Sequence, residues 1–278
     1  MKTQVTFLFA FILLGNLLAQ NNLSVMTFNI RYDNPGDGEN RWQNRKSHVA
    51  DVLRFFEADV CGVQEALGHQ VQELASLLPE YAWTGIGRDS AGTGEFACIF
   101  YKKKNLTLLQ SGTFWLNEHP ERIGPGWDAN LNRIVTWACF RRAAKGDTLF
   151  VFNTHFDHQG QVARRESAKL LLSRLKSIAG NHPVIVCGDF NATPDDEPIR
   201  LLNAPGALTE TRSISETPHF GPEGTFNGFG PAETRDKPID FIFLKNAAFR
   251  VLKHATIAAA WGGRYASDHH AVWALLAD

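Results

Sequence analysis

The chain has 278 residues, 44% hydrophobic and 11% aromatic, enough for a sizeable core, and no Gly/Ser/Pro linker, long charge run or solenoid-period repeat divides it. One globular domain is expected over residues 20–278, near the upper size for a single core. Its 28 basic residues stand against 29 acidic ones, with a pI near 6.8, which disfavours a protein dedicated to duplex DNA because such proteins usually carry a basic stripe.

Residues 1–19 combine Lys2, an apolar stretch from Val5 and a small residue at Ala19, the pattern of a secretory signal cleaved after Ala19. A membrane anchor is the alternative, since the stretch approaches the ~20 apolar residues of a spanning helix; Gly15 and Asn16 interrupt it. The mature protein is therefore expected to be secreted or periplasmic, monomeric and without a membrane span. Residues 24–30 read as a strand that opens, after Asn29, into a turn-rich loop starting at Arg31. Val49, Val52, Leu53 and Phe56 recur at helical spacing within residues 45–56. Residues 58–63 form the next strand, ending at Gln64-Glu65, and Val71, Leu74, Ala75 and Leu78 mark a second helix stopped by Pro79.

Strands follow at residues 82–86, 96–101, 106–113 and 134–141. Between the last two lies a polar and aromatic loop, residues 114–133, a length uncommon unless functional. If it borders the site, Trp115 and Trp127 should wall a pocket for a compact group such as a sugar ring, while Arg31 or Arg133 holds charge; the alternative is that the tryptophans only pin the loop to the rest of the fold. Residues 148–153 form a strand leading to His155, and Ala168, Leu171, Leu172, Leu175 and Ile178 mark a helix. The run Val184-Ile-Val-Cys-Gly-Asp-Phe-Asn-Ala-Thr-Pro194 is an apolar strand that stops at glycine and delivers Asp189 and Asn191 at its carboxyl end, where α/β proteins collect ligands. Residues 196–203 suggest a short helix and residues 206–238 mostly loop with a Gly/Phe-rich centre. Strands at 239–244, 249–257 and 271–276 complete the chain. Cys61, Cys98, Cys139 and Cys187 all sit inside apolar strands, so free buried thiols are expected even in an oxidising compartment.

Strand ends or starts thus carry Asn29, Glu65, His155, Asp189 with Asn191, Asp240, and Asp268 with His269. Carboxylates and amides suit a hard cation such as Mg2+ or Mn2+. Two histidines among carboxylates suit proton transfer near neutral pH. There is no His-Glu-x-x-His and no Gly-x-Ser-x-Gly, so neither a zincin nor a serine-hydrolase elbow is indicated.

Thr27-Phe-Asn-Ile30, Val63-Gln-Glu65, Asn153-Thr-His155, Gly188-Asp-Phe-Asn191, Pro238-Ile-Asp-Phe241 and Ser267-Asp-His269 resemble, in that order, the motifs of the endonuclease/exonuclease/phosphatase superfamily. The resemblance runs from about Val25 to Ala271. It implies an α/β fold, a four-layer α/β/β/α sandwich of two mixed sheets, with the site at one edge. It also implies that Glu65 holds the metal with Asn29 nearby and Asp268 beside it. Asp189 and Asn191 would position and activate water and hold a phosphate oxygen. His269 would be the base or its relay, oriented by Asp240, and His155 would stabilise the transition state, oriented by Glu95. The expected function is metal-dependent hydrolysis of a phosphodiester or phosphomonoester of a small sugar, glycan or lipid headgroup. An extracellular nuclease acting on nucleic acid is the alternative, and a noncatalytic binding module a third reading.

Overall fold

The computed structural model describes residues 22–230, 237–246 and 249–278. The expected leader, residues 1–19, lies outside them. In chain order the elements are β1 (Leu23–Asn29), α1 (Trp42–Phe55), β2 (Val60–Ala66), α2 (Gly68–Leu77), β3 (Tyr81–Thr84), β4 (Phe96–Lys102), β5 (Leu106–Trp115), β6 (Ile134–Arg142) and β7 (Thr148–His155). Then follow α3 (Gln161–Ala179), β8 (Val184–Asp189), α4 (Glu197–Leu202), β9 (Thr209–Glu210), β10 (Asp240–Lys245), β11 (Arg250–Ile257), β12 (Ala260–Trp261), β13 (Arg264–Tyr265) and β14 (Ala271–Ala277).

Two six-stranded sheets have the orders β11-β14-β1-β2-β4-β3 and β5-β6-β7-β8-β10-β9. Both are mixed: β1 with β2 and β7 with β8 are parallel, and each pair sits inside its sheet. Side-chain alternation sorts residues into layers. Met26, Phe28, Cys61 and Val63 pack under α1 and α2 with Val49, Leu53, Val71 and Leu74. Phe150, Phe152, Val186 and Phe243 pack under α3 and α4 with Leu171, Leu175 and Ile199. Val25, Val60, Val151, Ile185, Ile242 and Val272 fill the space between the sheets. Full burial of each large apolar side chain contributes about 1.5–3 kcal/mol, so this middle layer holds the sheets face to face. The result is the expected α/β/β/α sandwich.

Helix α1 starts at Trp42, ahead of the apolar spacing, because Trp42 and Arg45 are buried as well. Helix α3 stops at Gly180, whose positive φ of 56° glycine adopts without a Cβ penalty. The β12–β13 hairpin was not anticipated, although Gly262 and Gly263, both with positive φ, supply the two-residue turn that such hairpins favour. All four cysteines are buried and unbridged, and burial pushes the Cys98 and Cys187 thiols up to about 12. A thiol reagent should modify none of the four in the native protein and all four after denaturation without reductant. A mass lower by two hydrogens in the unreduced chain would contradict this.

Candidate active site

The inward-facing rows of four strands end in polar residues at one edge. Leu23 and Val25 of β1 are followed on the same face by Thr27 and Asn29, and Leu149 and Val151 of β7 by Asn153 and His155. Ile185 and Cys187 of β8 lead to Asp189, while Leu244 and Ile242 of β10 lead back to Asp240. Glu65 breaks this rule: by alternation it would join Cys61 and Val63 under the helices. Instead the β2–β4 ladder shifts register between Val63 and Ala66, and Glu65 takes a φ of 64°. Arg31 and Asn191 also have positive φ, so three cleft residues hold the strained backbone typical of functional sites.

The strand ends meet closely. Asn29 Nδ2 donates to Glu65 Oε1 and to Asp189 Oδ2, both at 3.0 Å. His269 Nδ1 donates to Asp240 Oδ2 at 2.9 Å, leaving Nε2 facing Asp189 Oδ2 at 3.7 Å. Asp189 Oδ1 accepts from the Asn191 backbone N–H at 2.9 Å. Asn191 Nδ2 donates to His155 Nε2 and to the Phe156 carbonyl, both at 3.0 Å. Asp268 faces Arg31 Nε at 3.6 Å. These residues surround a cleft of about 430 Å3 that Glu65, Asp268, His155, Asn191, Arg133 and Phe226 help to line.

The electrostatics follow from burial. Asp189 is held up at about 7 by burial and by the charge of Asp240. Burial opposes the charged form of His269, but Asp240 and Asp189 outweigh it and hold the imidazole up at about 10. His155 is pushed well down by burial and by Arg133, Arg88 and its histidine neighbours. Asp268 is raised by burial and by Glu65. Crowded carboxylates raised in this way are the environment that a hard divalent cation relieves, so the donor set fits one.

Two groupings could hold it. Ligand atoms of Asp189, Asp240 and His269 lie within 4.8 Å of one another, yet a cation there would break the His269–Asp240 hydrogen bond. Glu65 and Asp268 line the cleft without that conflict and are the better pair. Asn29 stands beside them: its Oδ1 accepts from the Arg31 N–H at 3.0 Å, and its Nδ2 donates to Glu65 and Asp189.

The other expected positions divide. Glu95 reaches the cleft, but its Oε2 takes Arg88 Nη1 at 2.7 Å and lies 4.0 Å from His155 Nδ1. Burial pushes Glu95 up to about 7. Arg133 is buried against Asp157 and His158, and its Nη1 has no hydrogen-bond partner among the described residues. The tryptophan wall does not form. Trp115 is buried and donates Nε1 to the Arg88 carbonyl at 2.8 Å, pinning its loop to the sandwich. Trp127 is half-buried and outside the residues lining the cleft, while its neighbour Asp128 accepts from the Val162 and Ala163 N–H groups at the start of α3.

The aromatic wall comes from the Gly/Phe-rich segment instead. The Phe226 ring packs edge-on against His269, with centroids 5.1 Å apart. Thr225 Oγ1 accepts from the Asp240 N–H at 3.2 Å, and the Asn227 N–H donates to the Asp268 carbonyl at 2.7 Å. Buried Arg45 also went unnoticed. It donates to the Ile30, Arg31 and Ala266 carbonyls and so ties two site loops together. Its place on the apolar stripe of α1, four residues before Val49, was the available signal.

The model of the Endonuclease/Exonuclease/phosphatase family matches residues 26–269, and the chain belongs to that family. Its members are hydrolases of phosphate esters and typically depend on divalent metal. A family structure from Bacteroides vulgatus is 39% identical, covering 92% of this chain and 99% of that one with a TM-score of 0.87. The mannosyl-6-phosphatase of Bacteroides thetaiotaomicron VPI-5482 is 31% identical, covering 92% and 100% of the two chains with a TM-score of 0.87. Nocturnin of Drosophila melanogaster is 30% identical over 167 residues, 55% of this chain but only 24% of its own length.

Proposed function

We propose that the protein is an exported Mg2+- or Mn2+-dependent phosphoesterase that removes phosphate from a small sugar or glycan. The observation that carries this reading is one cleft of about 430 Å3 lined together by the carboxylates Glu65, Asp189 and Asp268, by His155, His158 and Arg133, and by the Phe226 ring. Likeness to a mannosyl-6-phosphatase over nearly the whole chain supports a sugar phosphate. Export rests on the apolar leader-like residues 1–19, and sequencing a mature amino terminus at Gln20 would test it.

Glu65 and Asp268 would hold the cation, which when bound supplies positive charge against the phosphate oxygens and lowers the pKa of water. Asp189, fixed through Oδ1 by the Asn191 N–H, presents Oδ2 to the attacking water and accepts its proton. His269, oriented by Asp240, faces that same oxygen and stabilises the charge that develops. Asn191 Nδ2 holds the His155 ring through Nε2 and so sets where His155 meets a nonbridging oxygen in the cleft. His155 is lowered first by burial and then by Arg133 and Arg88, and a phosphate dianion beside it offsets both, so the imidazole would take up a proton when substrate binds.

Phosphate release from mannose 6-phosphate should exceed turnover of a diester dye, sphingomyelin and plasmid DNA under the same Mg2+ and Mn2+ concentrations. Phe226→Ala should raise KM for the sugar phosphate about fivefold, the worth of about 1 kcal/mol of aromatic contact. Rapid plasmid nicking that ignores Phe226→Ala would make this protein a nuclease.

A further inference from the structure

We infer that Gln64 and Asn153 are positioning residues, a buried tie between the sheets that sets the distance from the Glu65 side of the site to the His155 side. Both side chains are completely buried, between the apolar part of the inner layer, with Val60, Val151 and Ile185, and the polar strand ends. Gln64 Nε2 donates to Asn153 Oδ1 at 2.6 Å and to Thr27 Oγ1 at 2.9 Å. Asn153 Nδ2 crosses from the second sheet and donates to the Val63 carbonyl at 3.0 Å and the Cys98 carbonyl at 2.8 Å. Val63 and Cys98 are paired neighbours on β2 and β4, immediately before the register shift that turns Glu65 into the cleft. The amide of one sheet therefore fastens the other where its own ladder breaks.

Position along each strand gives the tie its leverage. Gln64 precedes Glu65 directly, while Asn153 and His155 share one face of β7 and stand level with Cys187 and Asp189 of β8. Room for the tie is made at Gly62, where a Cβ would lie 2.6 Å from Asn153 Oδ1 and 2.5 Å from Cys187 Sγ. Burying two amides is unfavourable unless they are hydrogen-bonded, and Gln64 Oε1 has no partner among the described residues. An apolar pair of similar volume would hold the sheets together as well, but it would not fix their register, because apolar packing is not directional. Directional bonds do fix it, because Gln64 Nε2 orients the Asn153 amide whose Nδ2 holds the two backbone carbonyls, and a misplacement of ~1 Å between reacting groups can cost ~10²-fold in rate.

The kinetic test rests on the proposed phosphoesterase reading; the structural test does not. Gln64→Met keeps the volume and removes the bond to Asn153, while Thr27→Val removes only the other branch of the same amide. With Mg2+ and mannose 6-phosphate, Gln64→Met should lower kcat by roughly 10- to 100-fold with KM within about threefold, and Thr27→Val should stay within about twofold of parent. Crystal structures of parent and Gln64→Met should show the Glu65 carboxylate displaced by ~0.5 Å or more relative to the His155 ring. Parental kcat in Gln64→Met, an equal loss in Thr27→Val, or superposable carboxylate and imidazole would each overturn the tie. If Gln64→Met does not fold, Gly62→Ala, which pushes Asn153 aside, carries the same expectations. A parent inactive on mannose 6-phosphate defeats the substrate reading alone, and the crystallographic comparison still decides the tie.

Discussion

Alanine at Asp189 or His269 is expected to lower turnover by ~10²–10⁴-fold each, through loss of the proton acceptor at Asp189 and of the charge-stabilising imidazole at His269. The two positions should differ in what they do to the fold. Asp189 is held up at about 7 by burial and Asp240, so its ionised form is disfavoured in the folded chain relative to the unfolded one, where the carboxyl titrates near 3.8. A group raised in this way binds more protons when folded, and its contribution to stability falls as pH rises from about 4 to about 7. Asp189→Asn should therefore be inactive yet more heat-stable than the parent at pH 8 without metal, with the gain gone at pH 4. His269→Ala should be less stable than the parent, because it leaves Asp240 and Asp189 buried without their cationic partner. Melting curves at the two pH values, with and without metal, check both. If Asp189→Asn keeps parental turnover, or is the less stable protein at pH 8, the role given to Asp189 is wrong.

Most of the sandwich could be read from the chain because alternation and helical spacing are imposed by burial, and burial here is strong and regular. Val184 to Cys187 read as a strand covered on both faces, and they are completely buried. Motif order brought Glu65, His155, Asp189, Asp240 and His269 to one edge because each ends or begins a strand. What escaped were features set by tertiary context. Period-two reasoning puts Glu65 on the wrong face, and only the register shift with its left-handed φ turns it inward. Two tryptophans in a long loop suggested a substrate wall, but an indole N–H needs a partner, and Trp115 found one inside the fold. Phe226 lies in a glycine-rich stretch without periodicity, so nothing local revealed that the Thr225 and Asn227 bonds would hold it against His269. Gln64 and Asn153 lay inside recognised motifs, yet a sequence cannot show that their partners are on opposite sheets.

Removing divalent metal should abolish hydrolysis, and Mg2+ or Mn2+ should restore it. Glu65 and Asp268 present only oxygen ligands to the cleft, and Asp268 is raised by burial and by the charge of Glu65, so a bound cation would relieve a strained pair. The proton must leave the raised Asp268 carboxyl before the metal enters, and binding releases it. The apparent affinity for Mn2+ should therefore rise with pH across the range, shifted above the ordinary carboxylate range, in which Asp268 loses its proton. Stabilisation by saturating Mn2+ should grow over the same interval, since a ligand that binds only the folded state stabilises according to its affinity. Glu65→Gln keeps an oxygen but loses a charge. It should need much more metal for half-maximal activity and approach the parental rate more closely as metal is added. Turnover that persists in excess chelator after dialysis would remove the cation from the mechanism. An Mn2+ affinity indifferent to pH would instead show that Asp268 is not its ligand.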